Sequence, residues 1–179
     1  MFIVSCREED DTKRFLSEGN MTSFYSESQS YVIVRADNSV LWQSNKFETC
    51  YVKIPNGNSP NWFDIVLTAD TNIMHVSGKA IDKYLFIHAE NPLTKSFTYD
   101  SIVTITNNLK IIYYEGKKVI DNRPEYKKYL TASAGTLVIT HNDGKYMSGN
   151  YRGVVKDITD AKQYNIDVVF NKIPMSLVK

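Results

Sequence analysis

From Gly135 to Asp157 apolar and polar positions alternate, break, and alternate again. Leu137 and Ile139 fall on one side of an extended chain and Thr136, Val138 and Thr140 on the other, because successive side chains of a strand point to opposite faces. Asn142, Asp143 and Gly144 interrupt the pattern with residues that accept positive φ, and a second extended run leaves through Tyr146, Met147 and Tyr151. Two such runs around a short polar loop predict a β-hairpin, with one face on a core and the other partly in water.

The same period recurs along the chain. Tyr31, Ile33 and Arg35 alternate with Val32, Val34 and Ala36; Asp37 and Asn38 turn the chain, and Val40 to Trp42 resume it. Phe47 to Ile54 is the next predicted strand, closed by the breakers from Pro55 to Pro60. Trp62 to Thr68 and Ile73 to Val76 read as two strands split by Ala69 to Asn72. Lys83 to Glu90 places Tyr84, Phe86 and His88 on one face and Leu85, Ile87 and Ala89 on the other. Phe97 to Thr106 and Lys110 to Glu115 follow, joined through Asn107 and Asn108, and the last predicted strand carries Ile166, Val168 and Phe170 and ends at Ile173 and Pro174. One segment departs from the period: Asp121 to Ala134, with Pro124 at a first helical position and Tyr126, Tyr129 and Leu130 behind it, predicts at most two helical turns. About ten short strands with turn signals between them predict an all-β fold, a single antiparallel β-sandwich or flattened barrel with at most one short helix.

Composition narrows the picture. A chain of 179 residues with 42% hydrophobic content fits one domain, and 12 tyrosines with 8 phenylalanines favour strands over helices. A net charge of +1 argues against nucleic acid as a partner, and no apolar run reaches the length of a membrane-spanning helix.

Ile3, Val4, Ser5 and Cys6 give a branched apolar residue, two further small or branched ones and a cysteine, a pattern that resembles a bacterial lipobox. The resemblance implies cleavage before Cys6, with residues 1–5 the remnant of a signal peptide whose charged and apolar parts are expected upstream of Met1, and lipidation of Cys6. Acyl chains anchor at about 0.8 kcal/mol per buried CH₂, and more than one chain makes the attachment to the membrane stable. Glu8, Glu9, Asp10 and Asp11 resemble the acidic export signal of surface lipoproteins of Bacteroidota. The polar stretch that follows reads as a tether, so residues 6–29 are the lipidated cysteine and linker and residues 30–179 the β domain.

Three further pieces resemble a family of small Bacteroidota lipoproteins with a β-sandwich domain of unknown function. These are Asn38 followed by Trp42; Gly135 to Thr140 with Ser148, Gly149 and Tyr151; and Phe170, Asn171, Ile173 and Pro174. The resemblance implies a sandwich on a lipid tether at the outer membrane, facing the cell surface, and brings no activity with it.

Chemistry-bearing constellations are few. His75, His88 and His141 lie in different segments without metal-ligand spacing, so no metal and no cofactor are expected. Asn142 and Asp143 hold oxygens that could meet calcium, but an Asn-Asp-Gly run is first a turn. No Gly-x-Ser-x-Gly elbow is present, and Cys50 reads as a mid-strand structural thiol, with a disulfide to Cys6 as its alternative fate. Lys110, Lys117, Lys118, Arg123, Lys127 and Lys128 form a basic cluster that either faces solvent or meets anionic glycans or lipid headgroups. Trp42, Trp62 and the tyrosines either pack a core or form a platform for sugar rings. The expectation is a non-catalytic, surface-exposed binding or interaction module whose ligand is a glycan, a protein or a small molecule. The alternative is a calycin-like barrel around a small apolar ligand.

Overall fold

The computed structural model describes residues 29–47, 49–54, 62–75, 78–90, 102–106, 108–120 and 123–177. Among them the chain forms strands β1 (Tyr31–Ala36), β2 (Ser39–Ser44), β3 (Thr49–Ile54), β4 (Trp62–His75), β5 (Gly78–Glu90), β6 (Val103–Ile105), β7 (Leu109–Ile120), β8 (Arg123–Glu125), β9 (Lys128–Ala132), β10 (Thr136–Asn142), β11 (Tyr146–Asp157) and β12 (Gln163–Leu177), and no helix.

The β1–β2 and β10–β11 hairpins form as their turns dictate, whereas the strands either side of Asn108, expected to be joined there, do not pair with each other: β6 joins β10, and β7 joins β5 and β9. Asp37 and Asn38 both adopt positive φ, 45° and 67°, which matches the twist of the flanking strands β1 and β2. At the tip between β10 and β11, Gly144 has φ 82°, Asn142 Oδ1 accepts from the Gly144 amide at 3.0 Å, and Asp143 Oδ1 accepts from Lys145 and Tyr146 at 2.8 and 2.7 Å. Asn142 and Asp143 thus spend these oxygens on the turn itself.

Strand pairing organises two layers. One is β2-β1-β12-β11-β10-β6, built around the β11–β12 hairpin; the other is β3-β4-β5-β7-β9, with β8 appended to β7. The layers are joined at two corners. Met175–Leu177 of β12 run parallel to Val52–Ile54 of β3, and Lys156 and Asp157 of β11 pair with Thr131 and Leu130 of β9. Pairing therefore runs β12-β3-β4-β5-β7-β9-β11 and returns to β12. The result is a flattened closed sandwich in which the central strands of each layer have both edges satisfied.

Alternate positions fill the space between the layers. Phe63, Ile65 and Leu67 of β4, Leu85, Ile87 and Ala89 of β5, and Leu109, Ile111 and Tyr113 of β7 meet Val32, Val34, Leu137, Ile139, Tyr151, Val168 and Phe170 from the other layer. Fully burying a large apolar side chain stabilises the fold by roughly 1.5–3 kcal/mol. Two glycines leave room for aromatic rings against the hairpin layer. A Cβ at Gly149 would come within 2.9 Å of the Phe170 ring, and one at Gly135 would lie 2.6 Å from Cζ of Tyr151.

Several predicted boundaries are corrected by the pairing. The segment expected to be helical forms β8 and β9. Leu130 is fully buried while Tyr129 and Thr131 take the opposite face, and β9 closes the gap between the edges of β7 and β11. The three-residue spacing of Tyr126 and Tyr129 arises because Tyr126 lies in the connecting turn and Tyr129 in the strand. Trp62–His75 is one strand, its interruption being register shifts at Ala69/Asp70 and Asp70/Met74. The last strand does not stop at Ile173 and Pro174 but runs on to Leu177, because its end finds β3. A bulge with Lys172 at φ 48° accommodates the crossing, fixed by Ser148, whose Oγ donates to Asn171 Oδ1 at 2.8 Å and accepts from the Lys172 amide at 2.9 Å.

Candidate functional site

The residues that face outward from the β3-β4-β5-β7-β9 layer fall into three rows across the strands, because register puts every second residue of neighbouring strands side by side. The first row is Lys53, Asp64, His88 and Lys110; the second Tyr51, Val66, Phe86, Ile112 and Thr131; the third Thr49, Thr68, Tyr84, Tyr114 and Tyr129. Adjacent strands lie about 4.8 Å apart, so each row is a continuous line of side chains.

Aromatic rings on this face are aligned. Tyr84 and Tyr114 have centroids 4.6 Å apart and planes 15° from parallel, and Tyr114 and Tyr129 lie 6.0 Å apart at 18°. Along β5, Tyr84 and Phe86 are 6.5 Å apart at 12°, and Phe86 and His88 6.3 Å apart at 14°. Trp62 extends the array beyond His88 at 6.1 Å, and Tyr126 packs edge-on against Tyr129 at the other end. These separations fall in the favourable offset range for aromatic pairs.

The polar row has fixed geometry as well. His88 Nδ1 donates to Asp64 Oδ1 at 2.6 Å, and His88 Nε2 faces Glu90 Oε1 at 3.4 Å. Lys53 stands in register with Asp64 and Lys110 with His88, while the Lys117 ammonium lies 5.9 Å from the centroid of Tyr114. Burial raises the Tyr84 phenol above its ordinary value, with further contributions from Tyr51, Asp64 and Tyr129, so Tyr84 stays a protonated donor.

Other sequence candidates are dispersed. Cys6, Glu8, Glu9, Asp10 and Asp11 lie outside the described residues. Cys50 carries a half-buried free thiol, pushed up to about 12 by burial, which keeps it protonated and unreactive. His141 lies 3.5 Å from Asp143 at the hairpin tip, away from His88. Among the described residues no group of three or more histidines, cysteines and carboxylates is arranged to hold a metal ion. The basic cluster divides: Lys128 reaches Asp157 at 3.4 Å and lies over the Tyr164 ring, Lys127 is 4.0 Å from Glu115, and Lys110 and Lys117 belong to the aromatic face. The two tryptophans divide too, Trp42 packing into the core against Phe47 and Trp62 standing on the outer face.

Sequence periodicity already placed Tyr84, Phe86 and His88 together. It missed Asp64, whose meeting with His88 depends on the register of β4 against β5. No family model matches the chain, and neither a curated protein nor a solved structure does.

Proposed function

We propose that this chain is a membrane-anchored lipoprotein of the cell envelope whose β domain is a non-catalytic binding module, with the outer face of the β4-β5-β7 strands as its recognition surface. One observation carries the reading: in the series Phe86, Tyr84, Tyr114 and Tyr129 each ring is within 18° of parallel to the next, beside a row of polar and charged side chains on the outer face of the sheet. Cys6, by its resemblance to a lipobox cysteine, supplies the anchor, and the acidic run after it favours the cell surface.

Two measurements test it in cells producing the full-length chain with its native leader. Incorporation of an alkyne fatty acid that is lost in Cys6→Ala, with removal of the domain by protease on intact cells, is expected; unlabelled protein refractory to protease overturns the anchoring. A photo-cross-linking amino acid at Phe86 is expected to capture envelope material, while one at Val154, exposed on the other layer, captures none. Equal capture at both positions overturns the face.

A second reading, a barrel around a small apolar ligand, draws on the closed strand pairing. Tyr113, Tyr151, Phe63 and Phe170 occupy the interior with almost no exposure, and this filling favours the surface over the interior as the place of binding.

A further inference from the structure

Resting on that reading of the β4-β5-β7 face, we propose that its ligand is an acidic polysaccharide, a chain of sugar rings bearing carboxylates, laid across the strands. Three features of the face select this chemistry. The first is shape. Small molecules are held in concave sites that cover most of their surface, whereas the three rows here form an extended sheet face suited to a polymer.

The second is the kind of apolar surface offered. Val66 and Tyr114 are only 9% and 8% exposed although both face outward, so these two add little open apolar area to the face. Protein partners bury an apolar patch at the centre of the contact. Sugar rings, apolar on one face and ringed by hydroxyls, suit aligned aromatics flanked by groups that accept and donate hydrogen bonds. Asp64 and His88, locked together at 2.6 Å, and the protonated Tyr84 phenol are such groups.

The third is charge. Lys53, Lys110 and Lys117 surround the array, against Asp64, which His88 engages, and Glu90 at its end. Three lysines against two carboxylates, one of them engaged by His88, leave these groups with an excess of cations.

The test uses the folded chain with polygalacturonate and the same polymer after reduction of its carboxylates, followed by calorimetry at low and high salt. Polygalacturonate is expected to bind, and the Lys53→Ser/Lys110→Ser variant to weaken it by about tenfold or more. High salt should weaken it as well, because exposed charges are screened. Phe86→Ser and Trp62→Ala, each with its melting curve, report on the array; loss of binding in either one with an unchanged melt supports it. Equal binding of the reduced polymer overturns the acidic preference while leaving the face as a recognition surface. Binding unmoved by all of these variants overturns the face itself. Binding of neither polymer overturns the inference, whereas the reading beneath it fails separately, by equal cross-linking at Phe86 and Val154.

Discussion

The Tyr151 hydroxyl donates to the Ala134 carbonyl at 2.6 Å, across the start of the β10–β11 hairpin. Its ring lies where a side chain at Gly135 would have to go. The contact ties Ala134, two residues ahead of β10, to the middle of β11 and lets a large aromatic enter the core without stranding its polar end. Tyr151→Phe is expected to cost about 1 kcal/mol in urea unfolding, the net worth of one hydrogen bond. Gly135→Ala should cost more, because the Tyr151 ring and the Arg152 carbonyl at 2.7 Å both have to shift.

Alkaline conditions should destabilise the fold through two neutral groups. Burial raises the Tyr151 phenol from 10.0 to about 12 and the Cys50 thiol from 9.0 to about 12. A group whose folded value is raised contributes stability that is complete below its unfolded value and lost as pH rises through the folded one. The melting temperature should therefore fall between pH 9 and 12, and Tyr151→Phe/Cys50→Ala should flatten that limb. An equally steep limb in the double variant would assign the loss to other groups.

Acid should act through Asp157. Burial by itself would raise its carboxyl, but donation from the Thr159 hydroxyl at 2.7 Å and amide at 2.9 Å, with Tyr129 and Lys128 at 3.4 Å, outweighs this and holds it below the ordinary 3.8. The stabilisation is present above 3.8 and is lost as pH falls through the depressed value. Asp157→Ala, which leaves the Thr159 and Tyr129 amides without their acceptor, is expected to cost about 1–3 kcal/mol at neutral pH. The gap between variant and parent should narrow as pH drops below 3.8 in a series of thermal melts.

Glu115 points inward at 6% exposure, with Lys83 at 2.9 Å and the Tyr113 hydroxyl donating to it at 3.0 Å. Lys83 also reaches the Leu41 carbonyl at 3.4 Å, so the cluster links β5 and β7 to β2. Lys83→Met leaves the carboxylate shielded without its nearest cation and should cost about 3 kcal/mol. Adding Glu115→Leu should recover most of the loss, since an apolar pair of similar volume often matches a buried ion pair. Equilibrium unfolding of the single and double variants distinguishes this from additive damage.

Tyr84 and Tyr114 should couple. Their stacked geometry at 4.6 Å predicts an interaction of about 0.5–1.5 kcal/mol in a double-mutant cycle with alanine. A cycle giving zero would show that the array contributes no packing energy of its own.

Much of this was legible along the chain. The side chains of Leu85, Ile87 and Ala89 are in the core and those of Tyr84, Phe86 and His88 are out, as a period of two requires whatever the strand pairs with. The turns at Asp37, Asn38 and Gly144 were equally local, since positive φ is a property of the residue. Residues from 123 to 132 were misleading for the opposite reason. Their tyrosine spacing is compatible with a helical turn, and only the open edges of β7 and β11 made a strand the better solution.

The sequence by itself determined that the chain is all β, which faces of its strands are apolar, and where most hairpins turn, because each of these follows from the alternation of side chains and the dihedral preferences of single residues. Tertiary structure decided how far β12 runs, that Trp42 packs inside while Trp62 stands outside, and that Asp64 meets His88. Those outcomes depend on register between strands distant in sequence, and a shift of one residue would have carried Asp64 to the opposite face.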